Sequence, residues 1–285
     1  MAGRTRRGGD RRDRRHAGPR RHRPGAGRHD LPDRVDDSWM RAVGSLPLLH
    51  QPGSQWLYNT GSDVLGVLVA RAAGQPLDAF LRERFLEPLG MHSTGFSIAE
   101  LDSHVGDEAT AAGAVERLST CYAVGDDGER FVYDESAGKW MAAPAFASGA
   151  AGLLSTVDDY AAFARLLLAG GRLADGSRLL ARTSIEAMTT DHLDVAGTGG
   201  HPGAAIDPLG SMGWGFGVGV QLRRTGPARC VGSYGWDGGL GSSWVNDPAV
   251  RLIGVVLTTD SFSGPDALPV ALQDFWTTLY TGLAD

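Results

Sequence analysis

The chain has 285 residues, enough for one large domain or two closely packed ones, and its 42 % hydrophobic and 8 % aromatic content is that of a globular protein of enzyme size. Two cysteines, Cys121 and Cys230, exclude a disulfide scaffold and a CxxC metal site but leave a single bridge open, and no apolar run reaches the ~18–20 residues that cross a bilayer. Charge is uneven: residues 1–34 hold 12 Arg against 4 Asp, a net of +8, and the remainder holds 15 basic against 29 acidic residues, a net of −14, giving −6 in all.

Residues 1–34 are mostly Arg, Gly, His, Asp and Pro and have almost nothing to bury. Burial there cannot offset the entropy of ordering, so 1–35 is predicted to be a disordered tail. It lacks the apolar stretch of a secretory signal, and its Arg pairs alone make no twin-arginine signal, which gives a cytoplasmic protein as the expectation. Three readings stay open for the tail: a basic arm for polyanions, an inert extension, or a mis-assigned start in place of a true N-terminal region. The acidic remainder argues against nucleic acid as a partner, because a duplex binder needs a basic face.

Order is expected from Asp36-Asp37-Ser38, which can cap a short helix through Trp39, Met40 and Val43. Segment 51–74 follows with a Pro52-Gly53 turn, then Trp56-Leu57-Tyr58, then the polar patch Asn59-Thr60-Gly61-Ser62. Between Ser62 as N-cap and Gly74 as C-cap, Val64, Leu65, Val67, Leu68 and Val69 make a helix apolar nearly all round, which predicts burial. A tyrosine at the mouth of such a helix puts a polar tip on an apolar body. Pro76 opens the next helix, with Leu77, Phe80, Leu81 and Phe85 on one face, and Pro88 with Leu89-Gly90-Met91 ends it.

Strand-like runs at 120–124 and 131–133 flank a Gly125-Asp126-Asp127-Gly128 turn. Ser155-Thr156-Val157-Asp158 reads as a capping box opening a helix with Val157, Ala161, Ala164, Leu167 and Leu168 inward, closed by Gly170-Gly171. Another helix runs from Thr183-Ser184 towards Met188. The final third changes period. Phe216, Val218, Val220 and Leu222 alternate, further runs start at Val231, Trp244 and Leu252 around an Asn246-Asp247-Pro248 turn, and a helix over 268–280 presents Val270, Phe275 and Leu279. Helices, then an antiparallel meander of three or four strands, then a closing helix define an α+β chain.

Four ordered pieces resemble the serine β-lactamase and penicillin-binding protein superfamily, in particular its esterase-like branch related to class C β-lactamases. Gln51-Pro52-Gly53 with Trp56-Leu57-Tyr58-Asn59 is similar to the PG-x-x-(W/F)-x-Y-S-N segment. Pro88-Leu89-Gly90-Met91 with Thr94-Gly95-Phe96 is similar to PLGM-x-x-T-x-F, and Ser148 to Thr156 with Asp158-Asp159 to SGAGGLxSTxxD. Gly235-Trp236-Asp237-Gly238-Gly239, Gly241 and Asp247-Pro248 are similar to the HTGG…G…DP region, and the resemblance spans roughly 38–285. It implies a β-lactamase-like fold, an antiparallel sheet flanked by helices plus a helical subdomain, over a partial domain 36–285 whose N-terminal part is missing.

The resemblance also implies acyl transfer by a serine of an S-x-x-K motif, with no cofactor and no metal. Carried over by position, Tyr58 takes the proton-transfer role of the second motif, and Asn59 stands near the substrate amide contact although its order after the tyrosine departs from the pattern. Trp236 holds the place of the motif's Lys or His, Asp237 that of Thr, Gly238 that of Gly, and Gly239 offers the oxyanion N–H on an edge strand. An apolar Trp236 in place of a cation suits an ester better than a substrate recognised by its carboxylate. The implied partner is a small-molecule ester or amide, with neither nucleic acid nor membrane. A binding domain for acyl or peptidoglycan-like ligands and a β-lactamase or D-Ala-D-Ala peptidase are the alternatives.

The largest departure is the nucleophile. The chain has one lysine, Lys139, so its only S-x-x-K is Ser136-Ala137-Gly138-Lys139, downstream of Tyr58, where Gly138 disfavours a helix. That sequence reads as a surface turn. A free tyrosine is about 0.1 % phenolate at pH 7, and lowering its pKa to about 7 takes roughly 4 kcal/mol, normally from nearby cations. Loss of a catalytic serine costs a comparable hydrolase about 10⁶ in turnover. The 285 residues are therefore expected to keep an active-site wall and to be inactive.

Overall fold

The computed structural model describes residues 35–105, 108–125, 127–136, 138–193, 210–261 and 270–283. The chain divides into units Met1–Arg34 and Val35–Asp285, the second of which holds every described residue. The disordered-tail expectation lies outside the described residues except for Val35, which opens a helix.

Helix α1, Val35–Gly44, begins ahead of the expected Asp36-Asp37-Ser38 cap and takes both aspartates into its first turn, and its Trp39 stacks on Phe146 at 4.9 Å. Helix α2, Thr60–Ala73, starts three residues earlier than expected, with Asn59 in place of Ser62 as N-cap and no side-chain capping bond. Gly74 ends it in the left-handed region at φ 71°, its N–H bonded to the Ala70 carbonyl. The expectation that α2 is buried all round is corrected. Gly66, Val67 and Ala70 face inward, whereas Leu65 is 56 % and Leu68 60 % exposed. A nearly all-apolar helix gives no phase to its hydrophobic pattern, so composition could not say that only one face is covered. The covered face meets the 148–152 loop at glycine-to-glycine distance: a Cβ on Gly149 lies 2.2 Å from the Ser62 carbonyl oxygen.

Helices α3, Leu77–Leu81, and α4, Glu87–Leu89, are joined by a π-turn, Arg82–Leu86, into one continuous helical stretch. Helices α5, Ile98–Val105, and α6, Glu108–Arg117, follow. A two-stranded sheet, β1 Cys121–Val124 with β2 Arg130–Asp134, matches the expected hairpin. The two cysteines are free.

Helix α7, Val157–Leu168, is capped by Thr156, whose hydroxyl accepts from Asp159 N at 3.2 Å. Two of the sequence motifs meet here as a structural tie. Thr94 Oγ1 and the Ser93 N–H both donate to Asp159 Oδ2 at 2.8 Å, Thr94 also bonds Ser155 Oγ at 2.8 Å, and Gly95 exchanges backbone bonds with Leu154. Helix α8, Arg182–Met188, comes next.

The main sheet runs β3 Met212–Trp214, β4 Gly219–Gln221, β5 Tyr234–Gly238, β6 Ser242–Asp247 and β7 Leu252–Leu257, an antiparallel meander of five strands in chain order. The expected strand through Phe216 and Val218 is instead a turn leading into β4. Gly217 at φ 81° makes that turn, and β3 is the added strand. Alternation then sorts the core. Tyr234, Trp244 and Asn246 face α7, where Ala164, Leu167, Tyr160 and Phe163 pack. Val245 and Asp247 face α9, Val270–Thr281, whose Trp276 and Tyr280 close that side.

The phase predicted for α9 is corrected. Leu272, Trp276 and Tyr280 point inward, while Val270 is 71 % exposed. Polar tips decide it: Trp276 Nε1 donates to Ser243 Oγ at 2.9 Å, and the Tyr280 hydroxyl to Asp247 Oδ2 at 2.7 Å. Asn246 and Asp247, expected in a turn, are the fully buried end of β6, and the turn is the four residues after them. Burial raises the Asp247 carboxyl, but donors from Tyr280, Cys230 and Ala249 outweigh it and hold the group below its ordinary range.

Candidate active site

Tyr58 arrives at the mouth of α2 48 % exposed, and its hydroxyl accepts from Trp236 Nε1 at 2.9 Å. Residues separated by 178 positions thus meet through the two groups that the motif comparison pairs. The indole supplies a donor at a place where a charged side chain was the pattern, so the hydrogen bond is present and the positive charge is not.

Trp236 sits on β5, opposite Trp244 of β6, and so shares its face of the sheet. The expectation that this strand is an edge needs refinement: β5 is the middle strand, but β4 pairs only with Tyr234 and Gly235. The segment Trp236–Gly238 therefore keeps edge character on the side away from β6. Gly235 is required by packing, since a Cβ there lies 1.9 Å from the Trp244 carbonyl oxygen. Beyond the strand, the Gly239 N–H has no backbone acceptor among the described residues, and a Cβ on Gly239 meets nothing within 4 Å.

Asp237 points the other way. Arg229 Nη2 lies 3.0 Å from both its carboxylate oxygens, and Ser243 Oγ donates to it on the α9 side. Its side chain is thus engaged beneath the sheet and not brought to Tyr58. Asn59 is half-buried beside Tyr58, and its side-chain amide makes no bond to any described residue. Lys139 lies in a single 3-10 turn, exposed, 2.8 Å from Asp134 Oδ2 and above the Trp140 ring. Ser136 itself lies in a turn after β2, in keeping with the surface turn expected there.

Two further aromatics complete the site. The Trp214 ring centroid lies 4.6 Å from that of Trp236 at 85° and 5.8 Å from that of Tyr58 at 86°. Trp56 stands 5.0 Å from Trp214 and 5.9 Å from Tyr58. Trp214 was not singled out in the sequence. Its signal is the pair of flanking glycines, because a Cβ on Gly213 meets Asp191 Cγ at 2.3 Å and one on Gly215 meets the Met188 carbonyl oxygen at 2.0 Å. With Trp214 N–H donating to Asp191 Oδ1 and its carbonyl accepting from His192 N, both at 2.9 Å, β3 is fixed against the end of α8.

No group of three or more metal-binding side chains occurs among the described residues, and no single helix among them is long and apolar enough to cross a membrane. Tyr58 and Trp236 are thus hydrogen-bonded to each other, and the Gly239 N–H beyond the strand end is without a backbone acceptor among the described residues.

A sequence profile of the Beta-lactamase family matches residues 14–275, and the chain belongs to that family of β-lactamase-fold hydrolases. It is 35 % identical to the protein Rv1367c of Mycobacterium tuberculosis over 226 residues, 76 % of this chain and 52 % of that one. It is 31 % identical to the esterase EstB of Burkholderia gladioli over 265 residues, covering 86 % of this chain and 60 % of EstB. The chain therefore spans a little over half the length of these relatives. Among solved structures, EstCE1, a hydrolase with promiscuous acyltransferase activity, superposes with a TM-score of 0.64 at 23 % identity, over 87 % of this chain and 62 % of its own. That likeness is one of fold.

Proposed function

We propose that this site is the carbonyl-binding wall of a carboxylic-ester hydrolase acting through an acyl-enzyme, whose S-x-x-K serine and lysine lie outside these 285 residues. The hydrogen bond from Trp236 to the Tyr58 hydroxyl carries the proposal, with the free Gly239 N–H on the same strand end. The serine oxygen attacks the ester carbonyl carbon, and its one proton passes to the lysine amine, with Tyr58 in the relay. The carbonyl oxygen, now anionic, accepts from Gly239 and from the serine's own N–H. Collapse expels the alcohol with that proton, and water then hydrolyses the acyl-enzyme. Because the third-motif position is an uncharged indole, neutral esters are favoured over substrates held by a carboxylate.

The test is p-nitrophenyl butyrate hydrolysis by this chain joined to an upstream S-x-x-K segment of its own reading frame. Tyr58→Phe in that polypeptide lowers kcat/KM by about 10²–10⁴-fold. Full activity of Tyr58→Phe, or upstream DNA that encodes no S-x-x-K in any frame, refutes the proposal. The second reading is a domain that binds acyl or peptidoglycan-like ligands without turnover, favoured by the unbonded Asn59 amide beside exposed rings. Calorimetry with an acyl ester analogue on the 285-residue chain separates the two.

A further inference from the structure

Fifteen basic side chains follow residue 34. All but two interact with another residue: ion pairs hold Arg71, Arg82, Arg84, Arg130, Lys139, Arg182 and Arg229, carbonyls take Arg117, Arg172, Arg178, Arg223 and Arg224, and Arg41 has a partner as well. Among the described residues, Arg165 and Arg251 alone have neither a hydrogen bond nor an ion pair. Both line one cavity of about 800 Å³.

The cavity lies where the C-terminal end of α7 passes α4 and the β6–β7 turn, and it shares no residue with the Tyr58 cluster. Its walls are largely apolar, including Leu89, Leu166, Leu173 and Ile253. Arg172 adds a third guanidinium, with one Nη1–H given to the Gly176 carbonyl at 3.1 Å. The one acid in the lining, Asp175, does not pair with any of them: it accepts from Ser177 N at 2.8 Å, and the Ser177 hydroxyl together with that N–H holds its carboxyl below the ordinary range.

A cation in the last turn of a helix is favoured by the helix dipole, which accounts for Arg165 without any ligand. It does not account for Arg251, whose backbone sits at φ 56°. At the end of a hairpin turn that conformation is the province of Gly or Asn. The other non-glycine residue in the left-handed region, Arg229, uses its side chain to hold Asp237. Arg251 has no such partner among the described residues, and it lines the cavity in a body of net charge −14.

We propose that this cavity is a binding site for a small anionic amphiphile, a carboxylate or similar anionic head on an apolar tail. Arg165 and Arg251 take the head, supported by Arg172, and the leucine-lined wall takes the tail. Guanidinium groups suit such heads because their N–H donors form a fixed fork, and a volume of this size is that of a small-ligand site.

Titration calorimetry of the whole 285-residue chain tests it, with decanoate below its micelle concentration as the probe. Decanoate binds at one site, and acetate and decyltrimethylammonium do not bind at the same concentrations. The double variant Arg165→Gln/Arg251→Gln weakens decanoate by roughly tenfold or more. Arg251→Gly is the control for folding: glycine suits the turn, so its melting temperature stays level or rises while decanoate weakens at least about threefold. No decanoate binding, wild-type affinity in either variant, or equal binding of the cationic chain overturns the proposal. A dimer that the double variant converts to monomer, with no decanoate bound, makes the cavity an interface between copies and overturns it too.

Discussion

The two sides of the structure are closed to different degrees. Under α9, Trp276, Ser243 and Asp237 form one run of satisfied donors and acceptors and Tyr280 with Asp247 another, and Ser243 and Asp247 are essentially inaccessible. At α2, by contrast, Val64, Leu65 and Leu68 face outward, with Leu46, Leu48, Leu49 and Leu57 exposed on the segment before it. Strand β7 likewise pairs with β6 and with no other strand among the described residues. The closed side is where residues specify one packing. The open side is where Tyr58 stands, and its apolar surface is of the kind that other polypeptide covers.

The contrast can be broken most forcefully from the closed side. Trp276→Ala removes an indole that fills the space over Gly254 and leaves Ser243 without its donor, so about 3–5 kcal/mol of stability is expected to go, read by urea unfolding. Asp247→Ala orphans the Cys230 N–H and Tyr280 hydroxyl and costs about 1–3 kcal/mol. That second loss depends on pH in a definite sense. The Asp247 carboxyl lies below its ordinary range when folded, so its contribution is complete above about pH 4 and falls away as pH drops through the folded value. The stability gap between the protein and Asp247→Asn therefore narrows on acidification, and a gap that widens contradicts the assignment. On the open side, Leu65→Ser and Leu68→Ser shift stability by no more than about 0.5 kcal/mol each, because nothing described covers them, and both reduce dye binding to exposed apolar surface.

Much of this was legible in the sequence. Helix ends marked by Gly74 and Thr156, the β1–β2 hairpin and the meander follow from caps, turns and alternation. The pairing of Tyr58 with Trp236 followed only from the order of the motifs, since no local rule joins positions so far apart. Where periodicity was ambiguous the reading missed. Helices α2 and α9 are apolar on more than one face, and the covered face is chosen by glycine gaps at Gly149 and Gly254 and by the polar tips of Trp276 and Tyr280. Trp214 stayed hidden because its place depends on contacts from Asp191 and Met188, which a strand pattern does not encode.

The central claim is that residues 1–285 carry the wall of an acyl site and not its nucleophile. Fluorophosphonate labelling of the 285-residue chain followed by peptide mass spectrometry tests it directly. No serine is labelled if the account is right. A stoichiometric adduct on Ser136, in the turn beside Lys139, contradicts it.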